Sequence, residues 1–213
     1  WGYSAPFCYL SHIIKPEKFE GINFNRIITY NEIYGTGKTP EEVGRAIEEQ
    51  GTQGFSFIRC DPAIFHKLQD GSMSIGDKIK QSMTDGYLLK PANNDRIGGW
   101  AIMHNWLSLA PDGLPYWIIT ENCKNLIRTL PQMVHDENKI EDIDTSAEDH
   151  ASDAARYGLV HIKWTDAVGG VGGKPKSNIP KSAIINDEGK QQSVDLDKWA
   201  NVKLPGQSKP YYK

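Results

Sequence analysis

Ala5-Pro6-Phe7-Cys8-Tyr9-Leu10-Ser11-His12-Ile13-Ile14 and Asn25-Arg26-Ile27-Ile28-Thr29-Tyr30-Asn31-Glu32-Ile33-Tyr34 are the two stretches whose reading decides the fold. Both are rich in aromatic and β-branched residues, which suit a pleated, half-buried surface. Lys15-Pro16 ends the first, and Glu17 to Phe24, with Gly21 and Asn23 as turn residues, links it to its hairpin partner. Downstream, helical and strand patterns alternate. Thr39-Pro40-Glu41-Glu42 reads as the start of a helix, with Thr at the N-cap, Pro at the first helical position and acids in the first turn. Val43, Ala46 and Ile47 recur at helical spacing until Gly51. Phe55 to Cys60 reads as a buried strand, followed by a short helix around Ala63 to Leu68 and an amphipathic helix over Ser74 to Met83. A strand at Tyr87 to Lys90, a helix over Arg96 to Leu109, a strand at Tyr116 to Thr120 and a short helix at Asn122 to Leu130 complete the pattern. A hairpin followed by alternating strands and helices predicts an α/β domain with a mixed sheet flanked by helices.

Toward the C-terminus, Asp136 to Asp144 is acidic and irregular and reads as loop, after which Thr145-x-x-Glu148 has capping-box spacing and His150 to Ile162 follow in helical register. Beyond Trp164 the character changes. Gly169-Gly170-Val171-Gly172-Gly173 reads as a hinge, and the forty residues after it hold eight Lys and four acids with few apolar residues. The expected organisation is one domain over residues 1–165 and a Gly-rich hinge with a mobile tail over 166–213.

Composition narrows the class without deciding it. The 213 residues are 38% hydrophobic and 24% charged, an ordinary globular balance large enough for a core. No window approaches about 18 consecutive apolar residues, so no membrane span is expected, and no charged segment followed by an apolar one opens the chain, so no signal peptide is expected. Three cysteines, Cys8, Cys60 and Cys123, form no CxxC pair, which fits a reducing compartment and argues against a disulfide framework or structural zinc. The net charge of −3 neither suggests nor excludes a nucleic-acid partner. Trp1 opens directly into WGYSAPFCYL without a polar lead-in, which reads as a cut made inside a domain.

Several motifs bear on chemistry. Gly35-Thr36-Gly37-Lys38-Thr39 lacks the upstream Gly of a phosphate-binding loop, since that position holds Glu32, and Pro40 follows the Thr; it reads as a loop into a helix N-cap, with no ATP site. The six histidines are scattered without the spacing of a zinc site. Asp61 ends a strand, where open α/β sheets place ligands, but Asp followed by Pro is equally a capping pair. In Asp149-His150-Ala151-Ser152-Asp153-Ala154-Ala155-Arg156-Tyr157-Gly158, helical spacing puts Asp149, His150 and Asp153 on one side. The helix dipole accounts for Asp149 and a metal ion would account for both acids, and the residues alone leave the two readings open. Lys90 and Arg96, flanking Asn93-Asn94, are candidate phosphate contacts in a polar loop.

The DHxxDAxRYG run, preceded by an acidic loop and the Cys123 to Ile127 helix, resembles the end of the C-terminal nuclease domain of tailed-phage terminase large subunits. Trp1-Gly2-Tyr3-Ser4-Ala5-Pro6, Glu32-Ile33-Tyr34-Gly35, Cys60-Asp61-Pro62-Ala63 and Asp95-Arg96-x-x-Gly99-Trp100 resemble that family's motifs in the same order, over about residues 1 to 163. The resemblance implies a ribonuclease H-like fold whose clustered carboxylates hold two divalent cations, Mg²⁺ or Mn²⁺. Asp61 and Asp153 match two of the family's acids, with His150 accessory and Asp149 an alternative. The first acid would directly precede Trp1, so the first strand is expected to be largely missing and the fragment's activity is in doubt. Two such ions about 4 Å apart activate a water and stabilise the leaving 3′ oxygen of a phosphodiester. The implied function is a DNA endonuclease that cuts concatemeric viral DNA during packaging, acting in the host cytoplasm. Its implied partners are double-stranded DNA, the portal protein, the terminase small subunit and the ATPase domain of the same parent chain. Another ribonuclease H-like nuclease, of resolvase or transposase type, and a non-catalytic binding domain are the alternatives.

Overall fold

A computed structural model describes residues 5–50, 58–67, 71–84, 88–137, 139–144 and 147–162. The hinge and tail expected over 166–213 lie outside the described residues, as do Trp1 to Ser4 and Thr145. The opening hairpin pairs β1 (Phe7–Phe19) antiparallel with β2 (Ile22–Gly35). It is longer than expected. Pro16 does not end β1 but sits opposite Asn25 within the ladder. β1 pairs only with β2 among the described strands, and an edge strand can carry a residue without an N–H. The link shrinks to Glu20-Gly21, with φ of 47° and 84°. Positive φ at both central residues marks the tight turn whose twist matches the strands it joins. Asn23 is therefore a strand residue facing Lys18 rather than a turn residue.

After the hairpin come α1 (Pro40–Glu49), β3 (Ile58–Cys60), a 3-10 turn at Pro62–Phe65, α2 (Ile75–Gln81) and β4 (Leu89–Pro91). α3 (Arg96–Trp106), β5 (Trp117–Ile119), α4 (Lys124–Thr129) and α5 (His150–Leu159) follow. The expected α/β architecture of a mixed sheet flanked by helices is present. The described strands form two sheets: β1, β2 and β5, with β5 parallel to β2, and a parallel pair of β3 and β4. Thr39 caps α1 with a complete capping box, its side chain accepting from Glu42 N and Glu42 accepting from Thr39 N, which is the helix entry that Pro40 and the acids predict.

The hairpin separates two cores. Phe7 and Tyr9 of β1 face Val43 and Ile47 of α1 and Ile79 of α2. On the other side, Ile27 of β2 and Trp117 of β5 pack with Met103 and Trp106 of α3, Leu126 of α4, and Ala151, Ala155 and Leu159 of α5. A bulge adjusts this sorting: Ser11 pairs with Asn31 and His12 with Thr29, so Tyr30 has no partner across the ladder. An extra residue inverts the in-out alternation beyond it. Ile27 lies in the second core, and past the bulge it is Tyr34, not Ile33, that joins the same side. Glu32 shares that side and accepts from Asn125 N at 2.9 Å and Leu126 N at 2.8 Å, closing the start of α4, where Cys123 offers no side-chain cap.

Candidate active site

The parallel pair β3–β4 ends beside α5. Ala92 N donates to Cys60 O at 2.8 Å, so the loops leaving both strands start side by side. From the first, Asp61 turns its carboxylate onto Ala63 N at 2.8 Å and caps the 3-10 turn that Pro62 begins. From the second, Asn93 N donates to His161 Nε2 at 3.1 Å, and Asn94 Oδ1 accepts from the Tyr157 hydroxyl at 3.3 Å. The second loop thus reaches α5 and the residues just after it, at the carboxyl ends of parallel strands, the usual place for ligands in such sheets.

Helix α5 begins at His150, later than the capping-box spacing predicts. Asp149 is its N-cap, and Glu148 lies outside the helix. Glu148 instead accepts a bidentate pair from Arg128, at 2.7 and 2.8 Å, and a bond from the Tyr34 hydroxyl. Those bonds hold its carboxyl down at about 2. A guanidinium fork on a carboxylate is a stronger partner than the backbone amide a capping box would offer.

Asp153, one turn into α5, is gripped by two arginines. Arg156 Nε donates to Asp153 Oδ1 at 3.1 Å, and Nη2 lies 3.1 Å from the same oxygen without hydrogen-bond alignment. Arg156 is completely buried. Its guanidinium carbon lies 5.1 Å from the Trp100 ring centre and 4.5 Å from that of Tyr157. The stem crosses α3 at Gly99, where a Cβ would come within 2.7 Å of Arg156 Cγ and Cδ. Arg96, at the start of α3, holds Asp142 through Nε at 3.2 and 3.4 Å and reaches Asp153 Oδ2 with Nη1 at 3.6 Å. Asp142 also accepts from the Trp100 indole at 3.1 Å.

The fields of these groups overlap. Burial first, then Asp61, pushes the Tyr157 phenol up to about 12, with Asp153 adding to the rise. Two acids from distant elements therefore act on one hydroxyl. The Asp149 carboxyl is raised by burial and then by Asp153, against the pull of His150 and Arg96. His150 Nδ1 lies 3.8 Å from Asp149 Oδ1.

Of the residues singled out from sequence, Asp61, Asp149 and Asp153 lie within electrostatic reach of this cluster, and His150 sits beside Asp149. Arg96 is turned inward onto Asp142 and Asp153. Lys90 is half-buried within β4. Sequence reasoning missed Arg156, Trp100 and Asp142. Arg156 follows Asp153 at helical ion-pair spacing, a signal that was available. Nothing local in the acidic loop ties Asp142 to Arg96.

Hard divalent cations take several oxygen ligands. Among the described residues no three Asp, Glu, His or Cys side chains converge as such a site. One oxygen of Asp61 is committed to a backbone amide, and both oxygens of Asp153 face guanidinium groups. The acids present do not by themselves close around a pair of cations.

Neither a family model nor a curated protein matches the sequence. The chain is similar to large-terminase structures. One is the nuclease domain of the large terminase g2p from bacteriophage SPP1 with bound Mn, at 15% identity and a TM-score of 0.45, covering 73% of this chain and 85% of that one. Another is the large terminase of a thermophilic bacteriophage in complex with ATP-γ-S, at 16% identity and a TM-score of 0.46. There 75% of this chain is covered, and it spans 40% of the thermophilic phage's chain. At these values neither likeness bears on activity.

Proposed function

We propose that this chain is the nuclease part of a DNA-packaging terminase large subunit, an endonuclease that cuts concatemeric viral DNA in the host cytoplasm with Mg²⁺ or Mn²⁺. The observation that carries the reading is the placement of Asp61 at the end of β3, which packs on α5, the helix that bears Asp153. These are the two acids singled out by motif, and they come from a strand end and a helix far apart in sequence. Asp61, Asp153 and Asp149 are the candidate metal ligands, His150 the accessory group, and Lys90 and Arg96 the candidate DNA contacts. The described acids do not by themselves close a cation site. The proposed partners are double-stranded DNA, the portal protein, the terminase small subunit and an ATPase domain of the same parent chain.

A second reading is favoured by the same contacts seen differently. Asp61 caps a 3-10 turn and Asp153 neutralises a buried arginine, which is what a non-catalytic binding domain would need of them. Supercoiled-plasmid cleavage in Mn²⁺ separates the two. The expected result is cleavage, and its loss in Asp153→Asn with DNA binding retained. A folded protein that cuts nothing favours the binding domain. Cleavage that survives Asp153→Asn removes Asp153 from the site.

A further inference from the structure

The acidic loop after α4 is tied to the foot of α3 by one carboxylate. Arg96 Nε donates to both oxygens of Asp142, at 3.2 and 3.4 Å. Asp142 Oδ1 also accepts from the Trp100 indole at 3.1 Å and from Ile143 N at 2.9 Å. The loop is otherwise closed on itself: Asp136 N donates to Asp142 O, Asp142 N to Lys139 O and Asp144 N to Val134 O. It adds little to the interior. Val134 and Ile140 are exposed, Ile140 by 74%, and neither joins the two cores. Its charge is one-sided, with Asp136, Glu137, Glu141, Asp142 and Asp144 against Lys139.

Arg96 is held on one side only. Asp142 takes it through Nε, whereas Nη1 stands 3.6 Å from Asp153 Oδ2 and Nη2 is enclosed without a hydrogen-bond partner. An enclosed donor without an acceptor is costly. The side chain is 27% exposed and stacks beside Trp100, its guanidinium carbon 5.6 Å from the ring centre. A phosphate offers oxygens at the spacing a guanidinium fork matches, and its charge suits a planar cation better than a single edge contact does.

We propose that the acidic loop is an autoinhibitory strap, in which Asp142 occupies Arg96 in place of a backbone phosphate of DNA, and that DNA binds by displacing that carboxylate. This rests on the nuclease reading above and adds what regulates the DNA contact. The strap acts twice: it neutralises the guanidinium, and its remaining acids repel an approaching phosphate backbone. Displacement needs no metal, so binding alone reports it.

The test is binding of a fluorescently labelled DNA duplex by the 213-residue chain in EDTA, read by anisotropy at several salt concentrations. Asp142→Asn keeps an acceptor for Trp100 and Ile143 but gives up the charge. It should bind the duplex roughly five-fold more tightly, the scale of one partly exposed ion pair. Arg96→Gln should bind more weakly, with a salt slope smaller by about one. In Arg96→Gln the gain from Asp142→Asn should vanish. Glu141→Gln removes the same charge from the same loop without touching Arg96 and should gain less than Asp142→Asn. Equal gains from both would assign the effect to general repulsion and overturn the competition. So would unchanged or weaker binding by Asp142→Asn, and with the parent chain binding DNA the nuclease reading would stand. A second measurement uses the parent chain alone. The Trp100 indole proton, assigned by its loss in Trp100→Phe, should exchange with solvent faster once DNA is bound, because Asp142 has left it. No acceleration overturns the displacement, even where a variant misfolds. Absence of DNA binding by the parent chain and every variant overturns the strap together with the DNA contact itself.

Discussion

Arg156 and Gly99 act as one unit, because the guanidinium reaches Asp153 only by running its stem across the bare backbone of α3. A methyl group at position 99 would meet that stem at 2.7 Å, and the stem is walled in by Trp100 and Tyr157. Gly99→Ala is therefore expected to destabilise the chain by about 1–3 kcal/mol, the usual cost of overpacking a filled site. Urea denaturation reads the loss, and an unchanged midpoint would mean that the stem has room to move. The glycine pair Gly98-Gly99 is visible in the sequence as an oddity within a helical pattern. Its reason is not, since the occupant comes from a helix more than fifty residues further on. Asp61 shows the converse. Its capping role was legible from Asp-Pro alone, whereas its effect on Tyr157 depends on how the strand end meets α5.

Elements in this fold borrow their ends from one another. α4 starts at Cys123 without a side-chain cap, and Glu32 of β2 supplies the missing acceptors to two backbone amides and to the Asn125 side chain. Glu32→Ala should cost more than about 2 kcal/mol, because charged hydrogen bonds are lost and two helix-start amides are left to find other partners. Thermal melting monitored by circular dichroism would show it, and a shift under about a degree would mean that water replaces the carboxylate. Local caps such as Thr39 and Glu42 were readable from spacing. The Glu32 bond and the Glu148–Arg128 pair were not, because both join residues that chain order keeps apart. The late start of α5 has the same origin: a long-range partner for Glu148 outcompetes the local amide the sequence pattern offers.

At the scale of the whole molecule, the two cores meet through the hairpin, and His12 sits where β1, β2 and α5 converge. Trp117 Nε1 donates to Thr29 Oγ1 at 2.7 Å, and the same hydroxyl shares a hydrogen bond with His12 Nδ1, 2.8 Å away. Burial lowers the His12 pKa from 6.5 to about 4. A histidine depressed in the folded state binds fewer protons there than in the unfolded chain, so its contribution is complete above pH 6.5 and is lost as pH falls toward 4. Glu148, held at about 2, gives way only below its ordinary value of 4.5. Chemical denaturation from about pH 7 to about pH 4 should show a decline that His12→Gln largely removes; the same slope in both proteins would assign it to other groups. The alternation that sorts side chains between the cores was readable along each strand. The skipped partner at Tyr30 was not, because both registers satisfy the local pattern of β-formers. That single unpaired position is the place where the strand tolerates a change in length. Losing only the codon for Tyr30 would leave each pair of the ladder in place, with Glu32 and Tyr34 still toward α4 and Ile33 still away from it. Selection can shorten this strand at the bulge far more readily than at a paired position further along it.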